Sequence, residues 1–398
     1  MRIYIDISVL TLATFVTGIQ RVTREIIVRL QESSACEVIL LHYNAAEDVY
    51  HRIDNKAFRD YYVLHQGVKE HMITEGTVAL SEIGAGAVFF DLDAAWMCRL
   101  KRSYLLPILK KQSAKIVTHI YDIISITHPQ YCLERGVYNF MDYVGAHLQY
   151  ADAIIVNAQA TVTELENLCG RIGCRLPPCH VVMLGADFKE KKAVEDRAVN
   201  ADLAQAAARP YLLMVGTIEP RKNHRLLLKA YEDGLKKQGY NIIFAGYMGW
   251  KMEDFEKALK AHPDYGSGIY HFTGLNDEAI SYLYQHARFL VFASYTEGFG
   301  LPIIESIQRG TPVLAADVAV YREIAGEYCI LFEQDNVQEL CRRVEEYGRE
   351  PEKYDLLKEK MKEFQFQTWD AAAVEMERVL MLFMRTPINW HSSWQAGD

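Results

Sequence analysis

Glu297 and Glu305 stand with seven residues between them in the stretch Ser-Tyr-Thr-Glu-Gly-Phe-Gly-Leu-Pro-Ile-Ile-Glu over 294–305. Gly298 and Gly300 let the backbone turn tightly, and Pro302 suits a first helical turn, where its missing N–H is not needed. An apolar strand precedes the loop and a helix follows it. The N–H groups of Gly300 and Leu301 therefore face out of a helix N-terminus, which is where a diphosphate binds. The flanking carboxylates can hold hydroxyl groups on either side of it. One such glutamate alone reads as solvated helix surface; the whole pattern does not.

A second segment, Val-Gly-Thr-Ile-Glu-Pro-Arg-Lys-Asn-His over 215–224, lies between another strand and helix. Arg221 and Lys222 put two fixed positive charges at a strand's carboxyl end, where they can neutralise a departing diphosphate. Taken alone, the pair also fits two solvated loop cations. In the first half, Thr17-Gly-Ile-Gln-Arg21 precedes an amphipathic helix, with Thr17 as N-cap and Gly18 allowing close backbone approach to a phosphate. The strand at 115–121 runs into Asp122, and alternation puts His119 and Tyr121 on one face. A core His119 is the competing reading there.

These segments together resemble the retaining GT-B glycosyltransferases of family 4, whose hallmark is the glutamate pair around Gly-Phe-Gly-Leu-Pro. The likeness continues over 272–287, 310–314 and 323–326 and covers nearly all of the second half. It implies an α/β chain of GT-B architecture, two Rossmann-like doubly wound domains facing a central cleft. The implied reaction moves a hexose, with mannose favoured, from GDP-mannose or a UDP-sugar to a glycan or lipid-linked acceptor in surface polysaccharide biosynthesis. No cofactor or metal is implied beyond the nucleotide-sugar substrate.

The same resemblance assigns roles. Glu297, Lys222, Arg221 and Asp122 become the catalytic set, and Gly18, Thr217, Phe299, Gly300, Leu301 and Glu305 the donor contacts. Glu297 would orient the sugar and Glu305 the ribose, with base contacts near Gly246 and along 273–279. Many members carry an arginine directly after the first glycine of the second segment; Thr217 stands there, which makes Arg221 the replacement. The family's sugar-side histidine immediately precedes the aspartate. Here Tyr121 does, and His119 lies two residues earlier, so either supplies that contact. No residue of the motifs is an obvious covalent nucleophile, so a same-face substitution follows by analogy.

The elements that must position these residues alternate as strand and helix, the pattern of parallel sheets. Strands are expected at 2–7, 37–43, 87–91, 115–121, 153–157 and 180–184, then at 211–215, 241–245, 270–273, 289–293, 312–315 and 329–332. Residues 188–209, charged and then alanine-rich, read as a linker. The expected division is an acceptor-binding domain over 1–187, a donor-binding domain over 210–370, and a C-terminal helix and tail at 371–398, with Trp390 and Trp394, rejoining the first domain.

Composition narrows the class. A net charge of −9 argues against a nucleic-acid binder, since no basic excess is present to neutralise phosphates. The eight cysteines lack paired spacing, which suits reduced thiols; Cys169, Cys174, Cys179 and His180 match no zinc pattern well. No long apolar run and no leader are evident, so a cytoplasmic protein is expected, at most peripheral at the inner face of the membrane. Six cations between Arg99 and Lys115, interleaved with apolar residues, are the segment for such contact with anionic lipid. Asp91 and Asp93 follow a strand in the wrong architecture for a metal pair and are read as an acceptor-facing loop. A dinucleotide-dependent oxidoreductase is disfavoured because no G-x-G-x-x-G follows the first strand. A noncatalytic sugar-nucleotide binder of the same fold is the alternative.

Overall fold

A computed structural model of the chain describes residues 1–13, 18–187 and 201–385. The expected cap at Thr17 and the Trp390 and Trp394 tail lie outside the described residues, as does 188–200 of the expected linker. The chain packs as two units: Met1–Gly185 with Gln367–Asp398, and Ala186–Phe366.

Unit 1 is built on an eight-stranded sheet of β1 (Arg2–Asp6), β2 (Glu37–Asn44), β3 (Val49–Ile53), β4 (Ile73–Val78), β5 (Ala87–Asp91), β6 (Lys115–Ile120), β7 (Ala153–Val156) and β8 (Cys179–Val181). Their order is β4-β3-β2-β1-β5-β6-β7-β8. The central strands read as unbroken apolar runs because helices cover both faces: every residue of β5, β6 and β7 is buried. The sheet is mixed, because β3 pairs antiparallel with β2 and β4. Neither β3 nor β4 was expected. Their sequences, VYHRI and ITEGTV, carry charged residues and a glycine, and the edge pair is half solvated, so no apolar run marks them.

The helix Trp369–Arg385 belongs to unit 1. Trp369 is 2% exposed and packs on Gly185, where a Cβ would stand 2.4 Å from the tryptophan's backbone. Asp370 pairs with Arg29, Ser33 donates to Glu377 at 2.7 Å, and Phe383 meets the ring of His180 edge-on.

Unit 2 holds a six-stranded, all-parallel sheet: β9 (Tyr211–Val215), β10 (Asn241–Ala245), β11 (Ile269–Phe272), β12 (Phe289–Phe292), β13 (Val313–Ala316) and β14 (Ile330–Phe332). The order is β11-β10-β9-β12-β13-β14, so the chain starts in the middle, winds one way and then the other. Within the stretch read as linker, Ala201–Ala206 is a helix whose Leu203 and Ala206 are buried, and the Asn241 side chain donates to the Ala206 carbonyl at 3.0 Å. Leu203 and Ala206 form its packed face.

The carboxyl ends of β1 and β5, where the winding of unit 1 reverses, are filled by the protein's own charges. Arg102 is 1% exposed and lies between Asp91, at 2.6 and 2.8 Å, and Asp6 at 3.0 Å. Tyr50 donates to Asp6 at 2.9 Å, and His147 stands 3.1 Å from Asp91. Burial favours a protonated Asp91, but the Arg102 charge outweighs it and holds the carboxyl at about 2. Asp93 is also buried; it accepts the Leu10 N–H at 2.7 Å, and burial pushes its carboxyl up to about 7. The expected acceptor-facing loop is thus corrected: both aspartates are enclosed, Asp91 by a cation eleven residues on and Asp93 by backbone.

Candidate functional site

In sheets of this winding, ligands bind beyond the carboxyl ends of the strands where the order reverses. In unit 2 that point lies between β9 and β12, and the two chemistry-bearing segments are the loops that leave these strands. A backbone bond ties them, the Tyr295 N–H donating to the Arg221 carbonyl at 2.9 Å.

The loop after β9 begins at Gly216, with φ of 124°, and ends in the single turn Pro220–Lys222. A Cβ on Gly216 would stand 2.6 Å from the Lys222 ammonium nitrogen, so only glycine lets that charge settle against the strand end. Gly246, after β10, approaches the Gly216 carbonyl so closely that a Cβ there would fall 2.0 Å from the oxygen. Thr217 packs its methyl toward Gly249.

Glu297, in the loop after β12, has a partner on each carboxylate oxygen: Ser294 Oγ donates to one at 3.0 Å, and Arg221 Nη1 lies 2.6 Å from the other. Burial alone would raise its carboxyl, but the Arg221 and Lys222 charges outweigh that and hold it below the usual carboxylate range. Arg221, expected at a diphosphate, instead faces two carboxylates. Its other terminal nitrogen donates to Glu219 at 2.5 Å, and Nη1 also reaches the Thr296 carbonyl at 2.8 Å.

Gly300, with φ of 127°, caps the helix Leu301–Gln308, and Pro302 occupies its first turn. The N–H groups of that turn point away from the helix and carry its positive dipole end. Phe299 is buried. Leu301 is half-buried. Glu305 is buried on this helix, and the Tyr284 hydroxyl donates to its Oε2 at 2.9 Å. Beside β10 and β11 a cavity of about 180 Å³ is lined by Ala245, Gly246, Tyr247, Phe272, Gly274 and Leu275, among others. Gly274, at φ of 67°, leaves room for the Tyr247 hydroxyl. The site thus offers an ammonium, a helix N-terminus, two oriented carboxylates and a small cavity. Together these can hold a diphosphate, hydroxyls and a planar ring.

Among the residues placed here, Ser294, Tyr284 and Glu219 were not singled out from sequence. All three sit inside quoted segments, and their hydroxyl and carboxyl groups were the available signal.

The candidates in unit 1 divide. Gly18 opens the helix Gly18–Glu32, and a Cβ there would meet nothing within 4 Å. Asp122 is half-buried and accepts the Ile124 N–H at 2.9 Å. His119 is fully buried, its Nε2 2.6 Å from the Asn157 side-chain oxygen and its ring stacked on Tyr121 at 4.2 Å. Burial lowers it to about 4, which keeps the ring neutral. Tyr121 is buried too and donates to the Leu92 carbonyl at 2.7 Å. Neither ring is open to a sugar; alternation put both on one face, and that face is the interior of unit 1. The basic segment is corrected as well: Arg102 and Lys115 are buried, and Lys110 pairs with Asp152 at 2.7 Å, which leaves Arg99 and Lys111 exposed. Among the described residues no helix is long and apolar enough to cross a membrane, and no group of three or more potential metal ligands converges.

The chain is similar to several known proteins. The family model "Glycosyl transferases group 1" matches residues 179–364. The serotype-specific mannosyltransferase WbdA of Escherichia coli is 29% identical over 364 residues, covering 87% of this chain and 41% of that protein. The O-antigen chain mannosyltransferase B of Escherichia coli is 26% identical over 339 residues, covering 82% and 86% respectively. The chain thus spans about two fifths of the length of WbdA. Among solved structures, sucrose-phosphate synthase from Thermosynechococcus elongatus superposes with a TM-score of 0.67 at 17% identity, over 97% of this chain and 100% of that one. Anabaena HepE in complex with UDP and glucose does so with 0.65 at 15% identity, over 96% and 99%. Two Rossmann-like sheets, with paired loops at the reversal point of the second, give the chain the GT-B-like fold of those structures. Over residues 179–364 the chain is similar to the group 1 glycosyl transferases.

Proposed function

We propose that this chain transfers a hexose, mannose in the favoured reading, from a nucleoside-diphosphate sugar to a glycan or lipid-linked acceptor in surface polysaccharide biosynthesis. The observation that carries this is the Lys222 ammonium, seated over Gly216 within the field of Glu297. The names of WbdA and the O-antigen mannosyltransferase support mannose and polysaccharide.

In this reading Lys222 and the first-turn N–H groups stabilise the charge that grows on the diphosphate as the sugar–oxygen bond breaks. Glu297 orients the sugar hydroxyls, Glu305 the ribose, and the cavity beside Gly246 takes the base. A leaving phosphate oxygen accepts the acceptor's proton on the same face, so configuration is retained. Unit 1 serves the acceptor and unit 2 the donor.

The test is transfer from a panel of GDP-mannose, UDP-glucose and UDP-GlcNAc, with thermal stabilisation read in parallel. Donor at 100 times its Kd stabilises by about 2.7 kcal/mol. Binding without transfer to any acceptor glycan would favour the noncatalytic alternative.

Transfer should persist in EDTA, because an ammonium and backbone N–H groups meet the diphosphate where a metal-dependent enzyme presents carboxylates to an ion. Loss of activity in EDTA, restored by Mn²⁺, would refute this.

The two glutamates should also separate. Glu297→Gln should depress kcat strongly with little change in affinity for the free nucleoside diphosphate, which lacks the sugar. Glu305→Gln should weaken the nucleoside diphosphate by about 1 to 3 kcal/mol, the cost of an unsatisfied buried partner. Equal affinity losses in calorimetric titrations would show that the division of roles is wrong.

A further inference from the structure

Arg221 and Lys222 are adjacent in sequence and point to different work. The flat guanidinium of Arg221 is a fork suited to carboxylates. One arm lies 2.6 Å from Glu297 and the other 2.5 Å from Glu219, while the Thr296 carbonyl takes a further bond. Glu219 is 4% exposed, so its charge is enclosed with this partner rather than spread in solvent. One cation facing two carboxylates has no positive charge left over for a phosphate. Lys222 takes part in no ion pair among the described residues.

We propose that Glu219 and Arg221 form a positioning bridge that holds Glu297 in its sugar-binding orientation, leaving Lys222 as the side-chain cation of the diphosphate. The proposal rests on the donor-site reading given above. Ser294 on one Glu297 oxygen and Arg221 on the other stop the carboxylate from turning, and the Tyr295–Arg221 backbone bond keeps both loops in step. An acceptor of sugar hydroxyl bonds must be ionised and already aimed when the transition state forms. Arg221 meets both needs without touching the substrate.

The groups facing Glu297 are Arg221 and Lys222 from the loop after β9, Ser294 from its own loop and Tyr321 from the helix Ala319–Ala325. Removing Arg221 leaves only Lys222 and Ser294 to oppose burial, so the Glu297 carboxyl rises. The acid limb of kcat should then move to higher pH, as Glu297 needs more alkaline solution to ionise.

The experiment titrates the full chain and its variants calorimetrically with the nucleoside diphosphate of whichever donor turns over, and measures kcat from pH 5 to 9. Arg221→Gln should bind within about twofold of wild type while kcat falls about tenfold or more and its acid limb shifts upward. Arg221→Lys, which restores charge without the fork, should recover part of kcat. Adding Glu297→Gln to Arg221→Gln should cost no more than Glu297→Gln alone, because the two act through one carboxylate. Should Arg221→Gln fail to fold, Glu219→Gln loosens the same bridge from its other end and should lower kcat at unchanged affinity. Nucleoside diphosphate bound about tenfold more weakly by Arg221→Gln would assign Arg221 to the phosphates and overturn the bridge, as would an unchanged kcat. A wild-type chain that binds no nucleoside diphosphate would instead overturn the donor-site reading.

Discussion

Lys222→Ala is expected to lower kcat by roughly 10²-fold or more, the scale for removing one preorganised stabiliser of developing charge. It should weaken the free nucleoside diphosphate as well, because the diphosphate carries its charge before and after transfer. The fold should survive: the ammonium lies over Gly216 and supports no other side chain through an ion pair among the described residues. Steady-state kinetics beside a thermal unfolding curve checks both halves, and wild-type turnover in the variant would remove Lys222 from the site.

Arg102→Ala should be the most damaging single change in unit 1. It leaves Asp91 and Asp6, 0% and 2% exposed, facing one another without their cation. Removing one partner of a buried ionic cluster costs about 3 to 5 kcal/mol. The acid pH dependence follows from Asp91. Its carboxyl is held at about 2, depressed from the ordinary 3.8, so the stability it lends is complete above 3.8 and drains only as pH falls toward 2. In the variant the two enclosed carboxyls lose the charge that held them down and rise as that of Asp93 does, so the destabilisation measured in urea should be smaller at pH 5, where they can protonate, than at pH 8. A loss under 1 kcal/mol would mean that water or rearrangement neutralises the two carboxylates.

These two expectations also mark what sequence reading reaches. The loops around Lys222 and Glu297 were legible as turns leaving strand ends because glycine at Gly216 and Gly300 and proline at Pro302 suit the positive φ and the first helical turn found there. The strands beneath them were legible because burial on both faces leaves unbroken apolar runs. Strands β3 and β4 were not, since a half-solvated edge pair carries Arg52, Glu75 and Gly76 in place of such a run. The charge on Arg102 was misassigned to a surface because its partners stand 11 and 96 residues away, and no local pattern announces a pairing at that distance. His119 shows the same limit: alternation gave its face, and only the sheet shows that face to be interior. The pairing of Arg221 with Glu297 was not legible either, for the two belong to different loops.

The helix Trp369–Arg385 has a consequence for how the molecule is made. It completes unit 1, yet all of unit 2 is translated between it and the strands it covers. At about 5 to 20 residues per second, the ribosome spends roughly 10 to 40 s on the intervening stretch. Throughout that interval the groove by Gly185 waits for Trp369, and Ile26 and the other apolar residues of the Gly18–Glu32 helix wait for Ala372, Met376 and Leu380. The nascent chain therefore carries an open apolar seam past the point at which unit 2 can already close. What is synthesised first is finished last, and a cell making this protein must shield that seam until the final helix arrives.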